Sequence, residues 1–295
     1  MENFLQALVS GVVIGGIYAL IAMGFVVIYK ATGIINFAIG EFMMLGAFFC
    51  YTAMTAAKFP FAVSLIMAIA GAAALGALVE RFILRPLLGK NTISIIMVTI
   101  GLSSVFKGVA QLVWSGDYRA FPPIFPRMPI LLGNIVIPSR QLYSFLIAIA
   151  AAAFIWLAFR FTRTGVSMRA TANDQAAAFS MGIDIRRVFS LSWSLAAVAA
   201  ALSGVVIGTM GGISPQLGAI GLKVFPVVIL GGLDSVGGAL AGGFLIGILE
   251  NLAGGYLDPL ILGGGIKEVA PFLVLVVILM IRPYGLFGTR EIERL

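Results

Sequence analysis

No histidine occurs in this chain, and cysteine occurs once. The first absence removes the commonest general base and metal ligand, and with them every Ser-His-Asp or Cys-His constellation. The second excludes an internal disulfide; Cys50, inside an apolar run, reads as a small packed residue and not as a redox centre. Charge is scarce as well. Only 11% of the 295 residues are charged, where a soluble domain carries about a quarter. Nucleotide motifs are missing too. RPLLGKNT at 85–92 resembles the end of a phosphate loop, but Leu84 stands where its first glycine belongs and Asn91 replaces its hydroxyl residue, and no G-x-G-x-x-G occurs. The chain therefore binds no ATP by these routes, and its energy must come from an ion gradient or another subunit.

What is present is apolar sequence. Hydrophobic residues make up 61%, and the mean hydropathy is +1.10. Runs of span length recur from end to end, so the whole of 1–295 reads as one membrane domain. Lipid cannot satisfy backbone polar groups, and the runs lack strict alternation, which selects helices over a barrel. The expected fold is all-α: a polytopic transmembrane helical bundle of about eight or nine membrane segments, at 8–29, 37–56, 60–80, 93–114, 140–159, 188–210, 220–233, 236–254 and 268–282. The seventh, KVFPVVILGGLDSVGG with Pro226 and paired glycines, is short. It could instead form a broken or re-entrant hairpin with the eighth.

Twelve of the 19 basic residues, including Lys30, Arg160, Arg186, Arg187, Arg290 and Arg294, flank the segments on one side. Six, including Arg119, Arg127, Arg140, Lys223 and Lys267, flank the other, and Lys107 lies within a segment. The positive-inside rule then puts the N-terminus outside and the C-terminus in the cytoplasm. The net charge of +7 faces anionic lipid, and no basic domain is left for nucleic acid. MENF carries no basic n-region, so a cleaved signal peptide is not expected.

Glycines four apart recur in GVVIG (11–15 and 204–208) and GALAG (238–242), a spacing suited to close helix contact, with a sliding or hinging helix as the alternative. Ionisable groups at membrane depth are costly and therefore candidates. Asn36 could cap the second helix, placing Glu41 about 8 Å along it, where the carboxylate lines a polar path or favours the positive helix end. Lys107 could snorkel outward, and Glu250 and Asn251 approach the end of the eighth segment. Five prolines in 115–139 predict a semi-rigid extended loop on the outer side, either a docking surface or a packed connection.

One polar segment remains, RTGVSMRATANDQAAAFSMGIDIRRV. Residues 167–181 read as one short cytoplasmic helix, capped by Ser167 or Asn173 and ended by Gly182 in the left-handed conformation. Phe179, Met181 and Ile183 with small Ala176, Ala177 and Ala178 suit a docking knob; an amphipathic helix resting on the inner leaflet is the other reading.

Ala176-Ala177-Ala178, three residues and then Gly182 resemble the E-A-A-x-x-x-G loop of ABC importer permeases, with Ala176 where the glutamate would stand. GVSMRATANDQAAAFSMGIDIRRV, INFAIGEFMMLGAF, ERFILRPLLG and VILGGLDSVGGALAGGFLIGILENL resemble branched-chain amino acid permeases of the LivH type over nearly the whole chain. The resemblance implies an inner-membrane transport subunit, not an enzyme, that imports branched-chain, hydrophobic amino acids, or an amide or urea-type solute. It implies partners: a second homologous permease, two ATP-binding cassette ATPases that hold ATP and Mg, and a periplasmic solute-binding protein. No cofactor is expected on this chain. In the coupling loop, 163–187, it points to Arg169, Asp174, Ala176, Ala177, Phe179, Gly182, Arg186 and Arg187. Candidates for the solute path are Asn36, Glu41, Thr99, Ser103, Gly231, Gly232 and Asn251. An ion-gradient-driven carrier of a small solute is the alternative, weakened because the intramembrane charges are scattered.

Overall fold

The computed structural model describes residues 2–87, 90–126, 128–132, 135–260 and 264–288. Arg127, Arg290 and Arg294 of the charge count lie outside the described residues, as do Leu88 and Gly89 of RPLLGKNT. Eleven α-helices are described, α1 (Glu2–Thr32), α2 (Ile39–Thr55), α3 (Phe61–Val79), α4 (Thr92–Trp114), α5 (Ser139–Phe161), α6 (Arg163–Asn173), α7 (Gln175–Ser180), α8 (Ile185–Gly211), α9 (Val224–Gly231), α10 (Val236–Tyr256) and α11 (Ile266–Ile281). A π-helical turn, Glu80–Leu84, and a short 3-10 turn prolong α3. Six of these helices are long and apolar enough to cross a membrane, and α2 and the segment Pro215–Gly231 are shorter apolar helices. The chain is an α-helical membrane protein.

Helix starts follow local chemistry. Asn91 accepts from Ile93 N at 3.2 Å to cap α4, Ser235 accepts from Gly238 N at 3.0 Å to cap α10, and Asp184 accepts from Arg186 N and Arg187 N to cap α8. The extended 115–139 loop departs from all-α in one place. Ile130–Leu132 (β1) pairs antiparallel with Ile135–Ile137 (β2), and Gln6 on α1 bonds both Val136 N and Val136 O. Arg119 pairs with Ile213, which fixes this proline-rich end of the bundle to the chain after α8.

The seventh segment is longer than its residue count suggests. Its first nine residues, Pro215–Lys223, are 3-10 and its last eight are α9. At about 2.0 Å and 1.5 Å per residue the two parts together reach roughly 30 Å, the thickness of a hydrocarbon core. It runs from Ile213 at the proline-rich end to Gly232, next to Asp234, whose carbonyl accepts from Lys30 Nζ at 2.8 Å. Lys30 marks the opposite, basic end. The paired glycines thus terminate the segment, and Leu286 N and Phe287 N donate to the carbonyls of Leu230 and Gly231, satisfying the end of α9.

The centre of the bundle is α1. Its apolar window is 89% buried, against 28% for α3, α4 and α5, which form the periphery. Glycine permits this. A Cβ on Gly11 would lie 2.7 Å from Ile248 Cα and one on Gly15 2.8 Å from Phe244 Cα, while Gly243 and Gly247 of α10 face Ala19 and Gly15 in return. Gly204 meets the Met43 carbonyl, Gly208 meets Phe121 and Ile213, and Gly238 and Gly242 meet α9. All three glycine motifs lie at such close contacts.

Lys223, grouped by sequence with the loops of the proline-rich end, instead lies inside the membrane segment, at the junction of its 3-10 and α parts. Its Nζ is 2.9 Å from Glu250 Oε1 on α10 and 2.7 Å from Glu268 Oε2 on α11. Glu250 is 2% exposed and also faces Tyr18 of α1, whereas Glu268 is largely exposed, so the Lys223–Glu250 pair carries the interaction. Removing one member strands the other. Lys223→Met should lower stability in detergent by about 3–5 kcal/mol, and adding Glu250→Gln should recover a large part of that loss. Thermal unfolding of the two variants checks this, and a double variant no more stable than Lys223→Met would show that the pair is not coupled.

Candidate coupling knob and translocation seam

At the basic end the polar segment folds as two helices instead of one. Ala, Arg and Met favour continuous helix through 167–181, but Asp174 breaks it. Its backbone is extended (φ −158°, ψ 111°), and its carboxylate accepts from Ala177 N at 2.9 Å, which starts α7 anew. Neither Ser167 nor Asn173 is the cap. Ser167 Oγ donates back to Arg163 O, and α6 is capped by Thr162, which accepts from Gly165 N at 3.1 Å. Gly182 does take the left-handed conformation expected of it, φ +82°, and Gly182 N donates to Phe179 O at 2.9 Å.

The result is a projecting knob. Ala178 is buried and holds α7 down, while Ala176, Ala177, Arg186 and Arg187 are exposed. Phe179 is 70% exposed and Met181 83%, two large apolar side chains facing away from the protein on a polar turn. Arg169 points elsewhere. Its guanidinium donates to Phe159 O and stacks 5.6 Å from the Phe159 ring centroid, turned back toward the bundle.

A second candidate lies within the bundle, where the turn between α1 and α2 meets the 3-10 part of the seventh segment. After α1, residues 33–38 leave the helix, and α2 begins only at Ile39. Asn36 does not cap α2; Ala38 does so without a side-chain bond. Asn36 Oδ1 instead accepts from Ala38 N at 3.0 Å within the turn, and its buried Nδ2 has no hydrogen-bond partner. Thr99 on α4 pins the same turn, accepting from Phe37 N at 3.3 Å and donating to Ile96 O at 2.8 Å. Because α2 starts late, Glu41 sits in its first turn and not 8 Å along.

Beside this break runs the 3-10 part of the seventh segment. Gly40 lies against the Gly218 carbonyl, Gly221 against Gly40, and a Cβ on Gly218 would be 3.0 Å from Glu41 Oε1. Phe37 stacks on Phe225 with ring centroids 4.7 Å apart, just past the junction at Lys223. Glu41 interacts with Ser103, and Lys107 of α4 contributes its charge from the same face. Asn36, Glu41, Thr99 and Ser103 thus lie along one seam between the turn before α2, α4 and the 3-10 stretch.

The other three path candidates lie apart. Gly231 abuts the Gly238 backbone, Gly232 (φ +102°) abuts Gly288, and both are buried where α9 turns into α10. Asn251 donates to Gly247 O at 2.9 Å and lines a cleft with Gln6 and Lys267 at the proline-rich end. Sequence reasoning missed Gly40, Gly218, Gly221 and Lys223. A glycine-rich run ending in lysine, PQLGAIGLK, is the signal that marked the seam's second wall.

Known proteins match this arrangement along its length. Residues 7–281 fit the family described as "Branched-chain amino acid transport system / permease component". The chain is similar to the high-affinity branched-chain amino acid transport system permease protein BraD of Pseudomonas aeruginosa, at 31% identity over 99% of this chain and 98% of that one. It is likewise similar to LivH of Salmonella typhimurium, at 31% identity over 99% and 97% of the two chains. Among solved structures, PsaBC from Streptococcus pneumoniae in complex with Fab superposes with a TM-score of 0.51 at 13% identity, covering 96% of this chain and 93% of that one, a likeness of fold alone. On the family match and the near-complete relatives together, the chain belongs to the permease components of branched-chain amino acid transport systems.

Proposed function

We propose that this permease imports branched-chain, hydrophobic amino acids across a bacterial inner membrane, driven by ATPases that seat on the α7 knob. The observation that carries the reading is the exposure of Phe179 and Met181. Apolar side chains held outward on a rigid polar turn mark a surface that a partner covers. The partner is an ATP-binding cassette subunit, one of two, and ATP and Mg bind there and not to this chain. Arg186 and Arg187 flank the knob and offer charge to the same groove, in place of the loop glutamate that Ala176 lacks. Arg169, turned inward, holds the knob's base to α5. With the knob in the cytoplasm, the N-terminus is outside and the C-terminus inside, and the nine apolar segments, with the seventh broken, all cross.

The rest of the assembly follows from surfaces left uncovered. On α4, Met97, Val105 and Leu112 are exposed beside Lys107, which suits the face to a second permease with the solute passing between the two. Glu41 and Lys107 supply both signs of charge to that path, as a zwitterion requires, and Phe37 and Phe225 line it with apolar surface for the side chain. At the outer end, Phe121, Phe125 and five prolines enclose a cleft of about 530 Å³ for the solute-binding protein.

Two tests separate the parts. Phe179→Asp with Met181→Asp changes only exposed side chains, so the protein should stay folded in the membrane while ATP-driven uptake falls to about one tenth or less and the ATPases no longer co-purify. Full uptake with ATPases retained would refute the coupling role, and uptake by this chain alone on an imposed ion gradient would replace the mechanism with a carrier. For the seam, Glu41→Gln should keep the ATPases bound but lower the uptake rate at saturating solute about tenfold, a barrier rise of roughly 1.4 kcal/mol. Unchanged uptake would remove Glu41 from the path.

A further inference from the structure

At the basic end, away from both the knob's tip and the seam, a cleft of about 530 Å³ opens between the ends of α1, α5 and α6 and the start of α10. Three cationic side chains line it, Lys30, Arg160 and Arg169, with Asp234 as an acid in the wall. Each cation is held in place by a contact that leaves donors over. Lys30 Nζ donates to Asp234 O at 2.8 Å, and Arg169 donates to Phe159 O. Arg160 lies over two aromatic faces, 5.1 Å from the Trp156 ring centroid and 5.4 Å from that of Phe161.

Position identifies the occupant. Lys30 is in the last turn of α1, Arg160 is the penultimate residue of α5, and Ser235 caps α10, so three membrane segments end at this level. That is the depth of the head-group layer. The lining continues directly into lipid-facing surface, for Phe161 is 67% exposed and Phe154 and Leu157 above it on α5 are exposed as well. Tryptophan at such a level is the usual interfacial anchor. A soluble anion would need no apolar wall, whereas a phospholipid presents a phosphate to the cations and acyl chains to the phenylalanines.

We propose that this cleft is a binding site for the phosphate of an anionic phospholipid, which ties α1, α5 and α10 together at the membrane surface. The net charge of the lining is positive, and anionic lipid at a surface gains about one kcal/mol per nearby Lys or Arg, or roughly fivefold in affinity for each.

The test uses the full chain in mild detergent, exchanged into nanodiscs of phosphatidylcholine with or without phosphatidylglycerol, followed by mass spectrometry of the lipid that stays bound. The wild type should retain phosphatidylglycerol in preference to phosphatidylcholine. Lys30→Gln and Arg160→Gln should each reduce that preference about fivefold, whereas Arg140→Gln, an arginine at the opposite end, should leave it unchanged. Equal retention by wild type and the Lys30→Gln, Arg160→Gln double variant would overturn the proposal. So would thermal protection by inorganic phosphate equal to that by phosphatidylglycerol, which would identify a free-phosphate site. A double variant that loses stability in phosphatidylcholine alone would mark the cations as structural and also overturn it.

Discussion

An unpaired backbone amide in hydrocarbon costs several kcal/mol, and the candidate sites of this permease include places where that constraint is met without a helix. Residues 33–38 leave α1 inside the bundle, and Thr99 and the Asn36 side chain take up the N–H groups of Phe37 and Ala38. The far end of α9 is met in the same way by the amides of Leu286 and Phe287. Irregular backbone is tolerated only because protein surrounds it. The seam is therefore not an opening added to a finished bundle; it lies where α4 and the Asn36 side chain supply the missing hydrogen bonds.

Bringing backbones close enough to do this requires glycine. At Gly40 and Gly221 any side chain would strike the opposite main chain, and one at Gly218 would press on the Glu41 carboxylate. The 3-10 winding of Pro215–Lys223 serves the same end. It draws the seventeen residues out to roughly 30 Å and leaves the segment pinned at its midpoint by the Lys223–Glu250 pair.

The sequence disclosed much of this because burial in lipid writes long, unambiguous runs. Each of the nine expected segments has a helical counterpart, and Gly182 takes the conformation that its position at the end of a turn demands. What failed to show was decided by tertiary partners or by single capping bonds. Nothing between Ser167 and Met181 breaks helix propensity, yet Asp174 stops α6 by offering its carboxylate to Ala177 N. The strands Ile130–Leu132 and Ile135–Ile137 were announced by two apolar triplets separated by Gly-Asn, a hairpin pattern obscured by the surrounding prolines. Of the path candidates, the four polar residues ahead of 110 came together, because α2 and α4 are neighbours. Gly231 and Gly232 have a different reason to be glycine, the tight passage from α9 into α10.

The proposed coupling between the α7 knob and the seam would run through few connections. The α7 knob is joined to α8 through Gly182 and the Asp184 cap, and α8 lies against α2 at Gly46 and Gly204. In the proposed coupling, force applied at Phe179 would reach α2 near Glu41 along one continuous helix of 27 residues. On the other side Arg169 fastens the base of the knob to α5. The proposed coupling does not depend on a glutamate at Ala176. What it requires is a stiff α8, an anchored α6 and a left-handed glycine between them.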